Sequence, residues 1–334
     1  MDNPRFSIVI PVYNGLSHNL QRCLESIWSQ NLDEDCYEVV CVDDLSSDGT
    51  LAWLRRQAAA RTRLRIVENT ENLRQGGARN RGVAQAGGEY VAFIDQDDYF
   101  HPGALAKAFE TISGEGLDAL VADNARETPS RPNSATRHNL PWRDVVTGDT
   151  MIAGGPVPFS PWNYLFRRSL MTDRGILFAE RERIEDVDWV FRLLHAAERV
   201  GYLPLPLVHN TIEAASTTMT AHVNPDTVYS YFRASRRLHS LALAGWPADV
   251  ARRVAEAREL YFYWGLRQCF FFRDKARAKT AQITANCMEP LPAASPRALN
   301  RLARRFPALF ARLSNLLSPA ARLAMRAWRR LRYA

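Results

Sequence analysis

The chain has 334 residues, 46% of them hydrophobic, and 43 Lys and Arg against 36 Asp and Glu give a formal net charge of +7. That apolar content supports a packed core in one large domain or two, while the absence of any run of about 18 apolar residues excludes a membrane-spanning helix. The five cysteines, Cys23, Cys36, Cys41, Cys269 and Cys287, are odd in number and show no metal-type spacing, which suits a reducing cytoplasm.

The first element, Phe6-Ser-Ile-Val-Ile-Pro-Val-Tyr-Asn14, reads as a buried strand, and a helical stretch follows over residues 17–30. With so few residues ahead of this strand, no signal peptide is expected. Tyr37 to Asp43 forms a second strand that runs into Asp43-Asp44-Leu-Ser-Ser-Asp-Gly-Thr50. Asp48 there is placed to cap the next helix, and Cys41 is a small core residue. Leu64 to Glu68 is a third strand, followed by Glu71-Asn-Leu-Arg-Gln-Gly-Gly-Ala-Arg-Asn80. The fourth, Tyr90 to Ile94, delivers Asp95-Gln-Asp-Asp98. Strands separated by helical patterns imply βαβ units and a parallel sheet. Their polar ends converge at its carboxyl edge, where open α/β sheets place ligands.

Three clusters at that edge carry chemistry. Asp95 and Asp97, spaced i, i+2 with Asp98 behind, offer hard oxygen ligands for Mg²⁺ or Mn²⁺ holding a diphosphate; the competing reading is a solvated turn. Arg74 and Arg79 are cationic partners for phosphate oxygens, or surface residues paired with carboxylates. Gly76-Gly77 lets the backbone approach a ligand, although GGARNRG lacks the spacing of a dinucleotide fingerprint. Further on, Val187, Val190, Phe191 and Leu194 share one helical face, which puts Glu185 and Asp186 at a helix N-terminus. Backbone N–H groups there keep a carboxylate ionised, as a general base requires; plain capping by acidic residues is the alternative.

Residues 125–147 are polar and proline-bearing and read as a long surface loop. From Asn224 the chain reads as helical, with Tyr261-Phe-Tyr-Trp264 and Phe270-Phe-Phe272 as aromatic core anchors and residues 290–296 as a short linker. After Glu289 there is no acidic residue, and residues 295–334 hold ten arginines and no lysine; subtracting those ten from +7 leaves −3 for the remainder. Leu299, Leu302, Phe306, Leu309, Phe310, Leu313, Leu316 and Leu317 recur at helical spacing, interrupted at Pro307 and Pro319. A second short helix sets Leu323, Ala327, Trp328 and Leu331 opposite Arg322, Arg326, Arg329 and Arg330. Such a tail suits an anionic membrane surface, or packs on its own domain with its arginines in solvent. Nucleic acid is disfavoured as a partner, because the Leu and Phe face has no use there.

The strings PVYN, VDDLSSDGT, ARNRG and IDQDD, in that order over the first 100 residues, resemble the family 2 glycosyltransferases of the GT-A fold. The likeness continues through residues 161–170 and 184–189 and covers residues 5–220, with a glycine-richer stretch at 75–77 than relatives often carry. It implies an α/β fold with a Rossmann-like, mainly parallel sheet flanked by helices, and a C-terminal helical extension. Residues 1–100 are then the nucleotide-sugar-binding half, residues 101–220 the acceptor half with the base, and residues 221–334 the helical extension with its basic tail.

The resemblance also implies roles. Asp97 coordinates the divalent metal that bridges the diphosphate, and Asp95 lies by the ribose. Asp98 adds an outer contact or caps the turn before His101-Pro102. Pro11 and Tyr13 meet the nucleobase, unless Tyr13 is core. Asp44 accepts the imide N–H while Asp43 helps fix the loop. Asp186 is the catalytic base, and Glu185 orients the acceptor. Trp162 is a sugar platform or a core residue. His209, in a post-base loop with Ser216 to Thr218, contacts phosphate or metal, or satisfies ordinary hydrogen bonds. The expected activity is inverting, metal-dependent transfer from a nucleotide diphosphate sugar, UDP being the commonest, to a glycan or lipid-linked acceptor. The expected setting is bacterial surface polysaccharide or glycolipid synthesis at the inner face of the cell membrane. The chain lacks Gln-x-x-Arg-Trp and membrane spans, so one sugar is added per encounter. A sugar-nucleotidyltransferase and a catalytically silent nucleotide-sugar-binding module are the rival readings.

Overall fold

The computed structural model describes residues 4–128, 131–136, 138, 140–211, 225–271, 276–285 and 298–317. It divides into two compact units, one of Met1–Glu127 with Arg131–Thr211, the other of Thr128–Ser130 with Ile212–Ala334.

The first unit is built on one sheet. β1 (Phe6–Val12) and β2 (Tyr37–Asp43) are buried along their whole length, as expected of central strands covered on both faces. β1 pairs in parallel with β2, and β2 with β3 (Leu64–Glu68). On its other side β1 pairs in parallel with β4 (Tyr90–Phe93). The register sets Val12 beside Asp43 and Asp43 beside Glu68, so these strands end level with one another. In the order β3-β2-β1-β4 the winding reverses between β1 and β4, the position where such sheets open a ligand crevice.

The helices cover both faces. α1 (Leu20–Trp28) buries Leu20, Cys23, Leu24 and Ile27, an i, i+3, i+4, i+7 stripe; a 3-10 turn over Gly15–Ser17 occupies the first part of the expected helix. α2 (Thr50–Ala59) starts after Gly49, whose φ of 84° is the left-handed conformation that glycine adopts at no steric cost. Asp48 stands one residue outside this cap, and its Oδ1 accepts from the Thr50 N–H at 3.1 Å and the Thr50 hydroxyl at 2.5 Å. α3 (Arg74–Gln85) follows β3.

Beyond β4 lie β5 (Tyr99–Phe100), α4 (Ala104–Gly114), β6 (Ala119–Thr128) and β7 (Arg131–Thr136), then α5 (Gly148–Gly154). β8 (Tyr164–Arg167), α6 (Ser169–Thr172), α7 (Asp186–Ala196) and β9 (Val200–Thr211) complete the unit. β8 inserts antiparallel between β4 and β6, β9 runs parallel to β6, and β5 closes antiparallel on β9. Part of the expected surface loop at residues 125–147 is therefore strand: β6 extends to Thr128 and pairs with β7. Its polar residues alternate with no apolar partner in sequence, and backbone pairing orders them regardless.

One core lies between the sheet and the α1/α4 side, where the Phe6 and Phe109 rings stack. On the other face Trp189 of α7 stacks on Phe178 at 4.4 Å and meets Phe93 and Phe166 edge-on. This aromatic cluster fixes where α7 begins, and so where Glu185 and Asp186 stand.

The second unit holds α8 (Pro225–Ala242), α9 (Ala248–Gln268), α10 (Ala276–Ala285) and α11 (Ala298–Arg305), with residues 307–317 also helical. Val228, Phe232, Phe262, Leu266, Ile283, Ala303 and Phe310 form its core. Tyr261 and Phe262 are buried, in keeping with their expected anchor role. Glu259 accepts from Asn300 and Arg304, which fastens α11 to α9. The helix breaks at Phe306, ahead of Pro307.

The two faces of this C-terminal segment are unlike. Asn300, Ala303, Phe310, Ala311 and Ser314 turn inward, while Leu302, Phe306, Leu309, Leu313, Leu316 and Leu317 stay 40–72% exposed. Packing thus uses the small and polar face rather than the leucine face. The linker at 290–296, the second short helix at 322–331 and Ser216 to Thr218 lie outside the described residues.

Candidate active site

At the ends of β1 and β2, two loops are laced together. Asn14, in a left-handed conformation, donates its N–H to Ser46 Oγ at 2.9 Å and accepts the Ser47 N–H at Oδ1, at 2.8 Å. Pro11 is held in β1 against Val42, and Tyr13 is 48% exposed, so its ring is a surface and not a core residue. Asp43 Oδ2 accepts the Ser46 N–H at 3.1 Å. Asp44 is pinned through Oδ1, which accepts from Asn69 Nδ2 and the Leu73 N–H, both at 2.8 Å. Oδ2 takes neither of these bonds. The Asp44 carboxylate therefore serves the start of α3, where N–H groups lack helical partners. Arg74 opens that helix with φ of 61°.

Gln96, which sequence reasoning passed over, closes the same crevice. Its side-chain amide accepts the Tyr13 N–H and donates to the Tyr13 carbonyl, both at 2.9 Å, and so clasps β1's loop to the Asp95–Asp98 turn. An amide between two carboxylates is the available signal, since a side-chain amide accepts from a backbone N–H and donates to a carbonyl at once.

The acidic turn divides its labour. Asp95 Oδ1 accepts from Arg79 at 2.6 Å. Asp97 is half-buried beside it. Asp98 is buried and accepts from Asn210 Nδ2 and, at 2.8 Å, from the Thr211 N–H; burial, then Asp97 and Asp95, push its pKa well up. Its carboxylate does not cap the turn before His101, as one expectation had it; it ties the end of β9 to the acidic turn. Among the described residues no three His, Cys, Asp or Glu side chains are grouped to hold an ion. Hard carboxylate oxygens at Asp97, with substrate phosphate and water completing the shell, still fit Mg²⁺ or Mn²⁺, which commonly take only one or two protein carboxylates.

Arg79 is not a surface cation awaiting phosphate. It is 2% exposed, with its NH1 on Glu185 Oε1 and its NH2 on Asp95 Oδ1, each at 2.6 Å. The glycine ahead of it serves packing rather than ligand approach. A Cβ on Gly76 would sit 2.7 Å from the Ala179 carbonyl oxygen and 2.9 Å from Glu185 Cγ. Asn80, one residue on, brackets Phe178 by accepting its N–H at 2.9 Å and donating to its carbonyl at 3.0 Å. Gly76→Val is therefore expected to destabilise the fold by about 1–3 kcal/mol, the cost of overpacking, seen as a lowered urea midpoint at unchanged m-value.

Glu185 stands at the N-cap of α7 and Asp186 is its first residue. Asp186 Oδ1 is buried and has no hydrogen-bond partner. Burial raises the Asp186 pKa to about 6, against the lowering pull of Arg79 and of the Asp186 and Val187 backbone N–H groups. The helix N-terminus thus acts as expected, but desolvation outweighs it. Burial likewise lifts Glu185 to about 7, with Arg79 pulling down and Asp186 pushing up. Arg79 is shared between two carboxylates, so it offsets neither fully.

Two further expectations resolve. Trp162 packs in the core and offers no exposed platform. His209 is 5% exposed, its Nε2 lies 2.7 Å from His101 Nδ1, and its ring stacks on Tyr99. It is a packed member of a ring cluster, with Nδ1 buried and unpartnered.

Comparison with known proteins agrees with this architecture. The EpsH protein of Bacillus subtilis (strain 168) is 29% identical over 225 residues, 65% of this chain and 63% of its own. Glycosyltransferase AglE of Haloferax volcanii is 38% identical over 137 residues, 41% of this chain and 44% of its own. A poly(ribitol-phosphate) beta-glucosyltransferase of Bacillus spizizenii is 33% identical over 179 residues, 52% of this chain and 27% of its own. The chain thus spans under two thirds of the length of each. Among solved structures, S. aureus TarS 1–349 in complex with UDP-GlcNAc matches with a TM-score of 0.66 and 21% identity, over 97% of this chain and 92% of that one. Mannosyltransferase PcManGT from Pyrobaculum calidifontis, in complex with GDP-Man and Mn²⁺, matches at 0.56 and 18%, over 97% and 88%. Both share the fold, which is GT-A. The glycosyl transferase family 2 model matches residues 7–175, half of the chain, and the chain belongs to that family.

Proposed function

We propose that the chain is an inverting, metal-dependent glycosyltransferase. It moves a sugar from a nucleotide diphosphate sugar, UDP-linked, to an acceptor hydroxyl in bacterial polysaccharide or glycolipid synthesis. The observation that carries this reading is the buried, unpartnered Asp186 Oδ1 at the start of α7, whose neighbour Glu185 is joined to the acidic turn through Arg79. An acceptor hydroxyl is a donor that such an oxygen lacks. Asp186 takes its proton as the oxygen attacks the anomeric carbon from the face opposite the nucleotide, so the configuration inverts. On the donor side Asp44 Oδ2 accepts from the base, Tyr13 offers a ring for it to stack on, and Asp95 lies by the ribose. Asp97 holds the metal, which when bound neutralises charge on the departing diphosphate. The UDP-GlcNAc complex of TarS supports a uridine donor, and the Mn²⁺ complex of PcManGT supports the metal. Product analysis separates this from the rival chemistry: nucleoside diphosphate release supports transfer, whereas pyrophosphate release would identify a nucleotidyltransferase.

The working place is the inner face of the cell membrane. Exposed Arg301, Arg305 and Arg312 flank the exposed Leu302, Leu309, Leu313 and Leu316, the arrangement that a basic amphipathic helix presents to anionic lipid. Leu309→Asp with Leu313→Asp removes two apolar contacts and adds two repelling charges. The pair is expected to lower partition onto phosphatidylglycerol vesicles roughly tenfold or more in co-sedimentation. Equal partition of variant and parent would reject the lipid surface.

A further inference from the structure

We propose that Arg79 is the positioning residue that sets the Glu185–Asp186 turn against the donor-side carboxylate Asp95. This deepens the proposed reading by naming what couples its two halves. The guanidinium reaches Asp95 and Glu185 at 2.6 Å each, from a helix that lies beside both. It is walled by aromatic rings, 5.4 Å from the Phe178 centroid and 5.9 Å from that of Phe93. Asp95 and Glu185 are 90 residues apart in sequence and meet through this side chain.

Three contacts of α3 show that the arrangement is built. Gly76 allows the helix to lie against Ala179 and Glu185. Asn80 holds both backbone groups of Phe178. The Arg181 N–H donates to the Leu73 carbonyl at 2.9 Å, at the start of the same helix. The segment from Phe178 to Asp186 therefore rides on α3, and Arg79 bridges it to the acidic turn.

The charges say what the bridge does. Facing the base are Glu185 and Asp188 on its own helix, Arg79 from α3 and, through Arg79, Asp95 from the end of β4. Glu180 lies near Asn80 on the same side of α3. One cation thus stands among several carboxylates. A lysine at position 79 keeps the charge but reaches one carboxylate, since an ammonium lacks the planar fork that binds two at once. A glutamine removes the charge altogether.

Two readouts test this. The first needs no donor: amide hydrogen exchange of residues 178–186 in Arg79→Lys and Arg79→Gln. Both are expected to speed exchange in that segment on the order of tenfold while the β1 and β2 core is unchanged. The second uses the nucleotide sugar that stabilises the parent protein. Arg79→Lys is expected to lower kcat on the order of 10²-fold, the effect of a misplacement of about 1 Å, with donor KM changed far less. Arg79→Gln is expected to move the acid limb of kcat/KM upward as well, which simple loosening would not do. If Arg79→Gln does not fold, Arg79→Lys carries both readouts. Unchanged exchange at 178–186, or KM and not kcat absorbing the loss, would overturn the assignment in favour of a donor contact. A parent protein that turns over no nucleotide sugar would fail the proposed function while the exchange readout still decides the role of Arg79.

Discussion

Asp186→Asn is expected to lose transfer activity by about 10²–10⁴-fold while keeping donor affinity, because the amide cannot take the acceptor proton and no donor group is altered. The same substitution is expected to stabilise the protein at neutral pH. The folded pKa of Asp186, about 6, lies above the ordinary carboxylate value because burial penalises the charge. A group raised in this way adds stability at low pH and loses it as pH climbs through the folded value. Above pH 6 the parent carries an ionised carboxylate in a desolvated site, at a cost on the order of 2–3 kcal/mol. Asparagine never ionises, so the gap in Tm between variant and parent should open between pH 4 and pH 7 and favour the variant. The parent's kcat/KM should in turn fall below about pH 6, as the base becomes protonated. A variant that is inactive but gains no stability over the parent between pH 4 and pH 8 would separate the catalytic assignment from the desolvation argument.

Asp97→Ala is the second large effect. If Asp97 supplies the protein's carboxylate to the metal, its loss removes charge neutralisation where the diphosphate departs. Electrostatic contributions of this kind are worth about 10²–10³ in rate. Binding reports it independently of turnover. Titration calorimetry should show donor affinity rising with Mn²⁺ in the parent and indifferent to Mn²⁺ in the variant. Asp98→Asn should differ, because that carboxylate is spent on Asn210 and Thr211. Its Mn²⁺ dependence is expected to match the parent's. Equal metal dependence in Asp97→Ala and parent would remove Asp97 from the metal site.

Much of the N-terminal half of the sheet was legible because its signals are local. Strands β1 and β2 follow from mainly apolar runs and β3 from the shorter Leu-Arg-Ile-Val, and they end in acidic and turn-forming residues. The start of α7 was legible too, from an i, i+3, i+4, i+7 stripe that leaves Glu185 and Asp186 in its first turn. What was not legible depends on partners far along the chain. Arg79 meets Glu185 across 106 residues, and neither residue carries a local sign of the other. Asp98 bonds Asn210 and Thr211 across more than a hundred, so the sequence offered it only an outer contact beside Asp97 or a cap near His101. Gly76-Gly77 suggested ligand approach because a sequence shows that room is made, not for what. The apolar stripe of residues 302–317 was read as one face, but Phe310 leaves it to pack with Asn300 and Ala303, and only that packing shows that the leucines point outward.

If the crevice accepts a nucleotide sugar, a thermal-shift screen of the full chain shows it most directly. UDP-, GDP-, CMP- and dTDP-sugars are each added with and without Mn²⁺. A ligand that binds only the folded protein raises its stability by mass action, about 2.7 kcal/mol at a hundredfold excess over Kd. The expected result is stabilisation by a UDP-sugar that requires Mn²⁺. No shift with any of the four donors, in the presence or absence of metal, would contradict it.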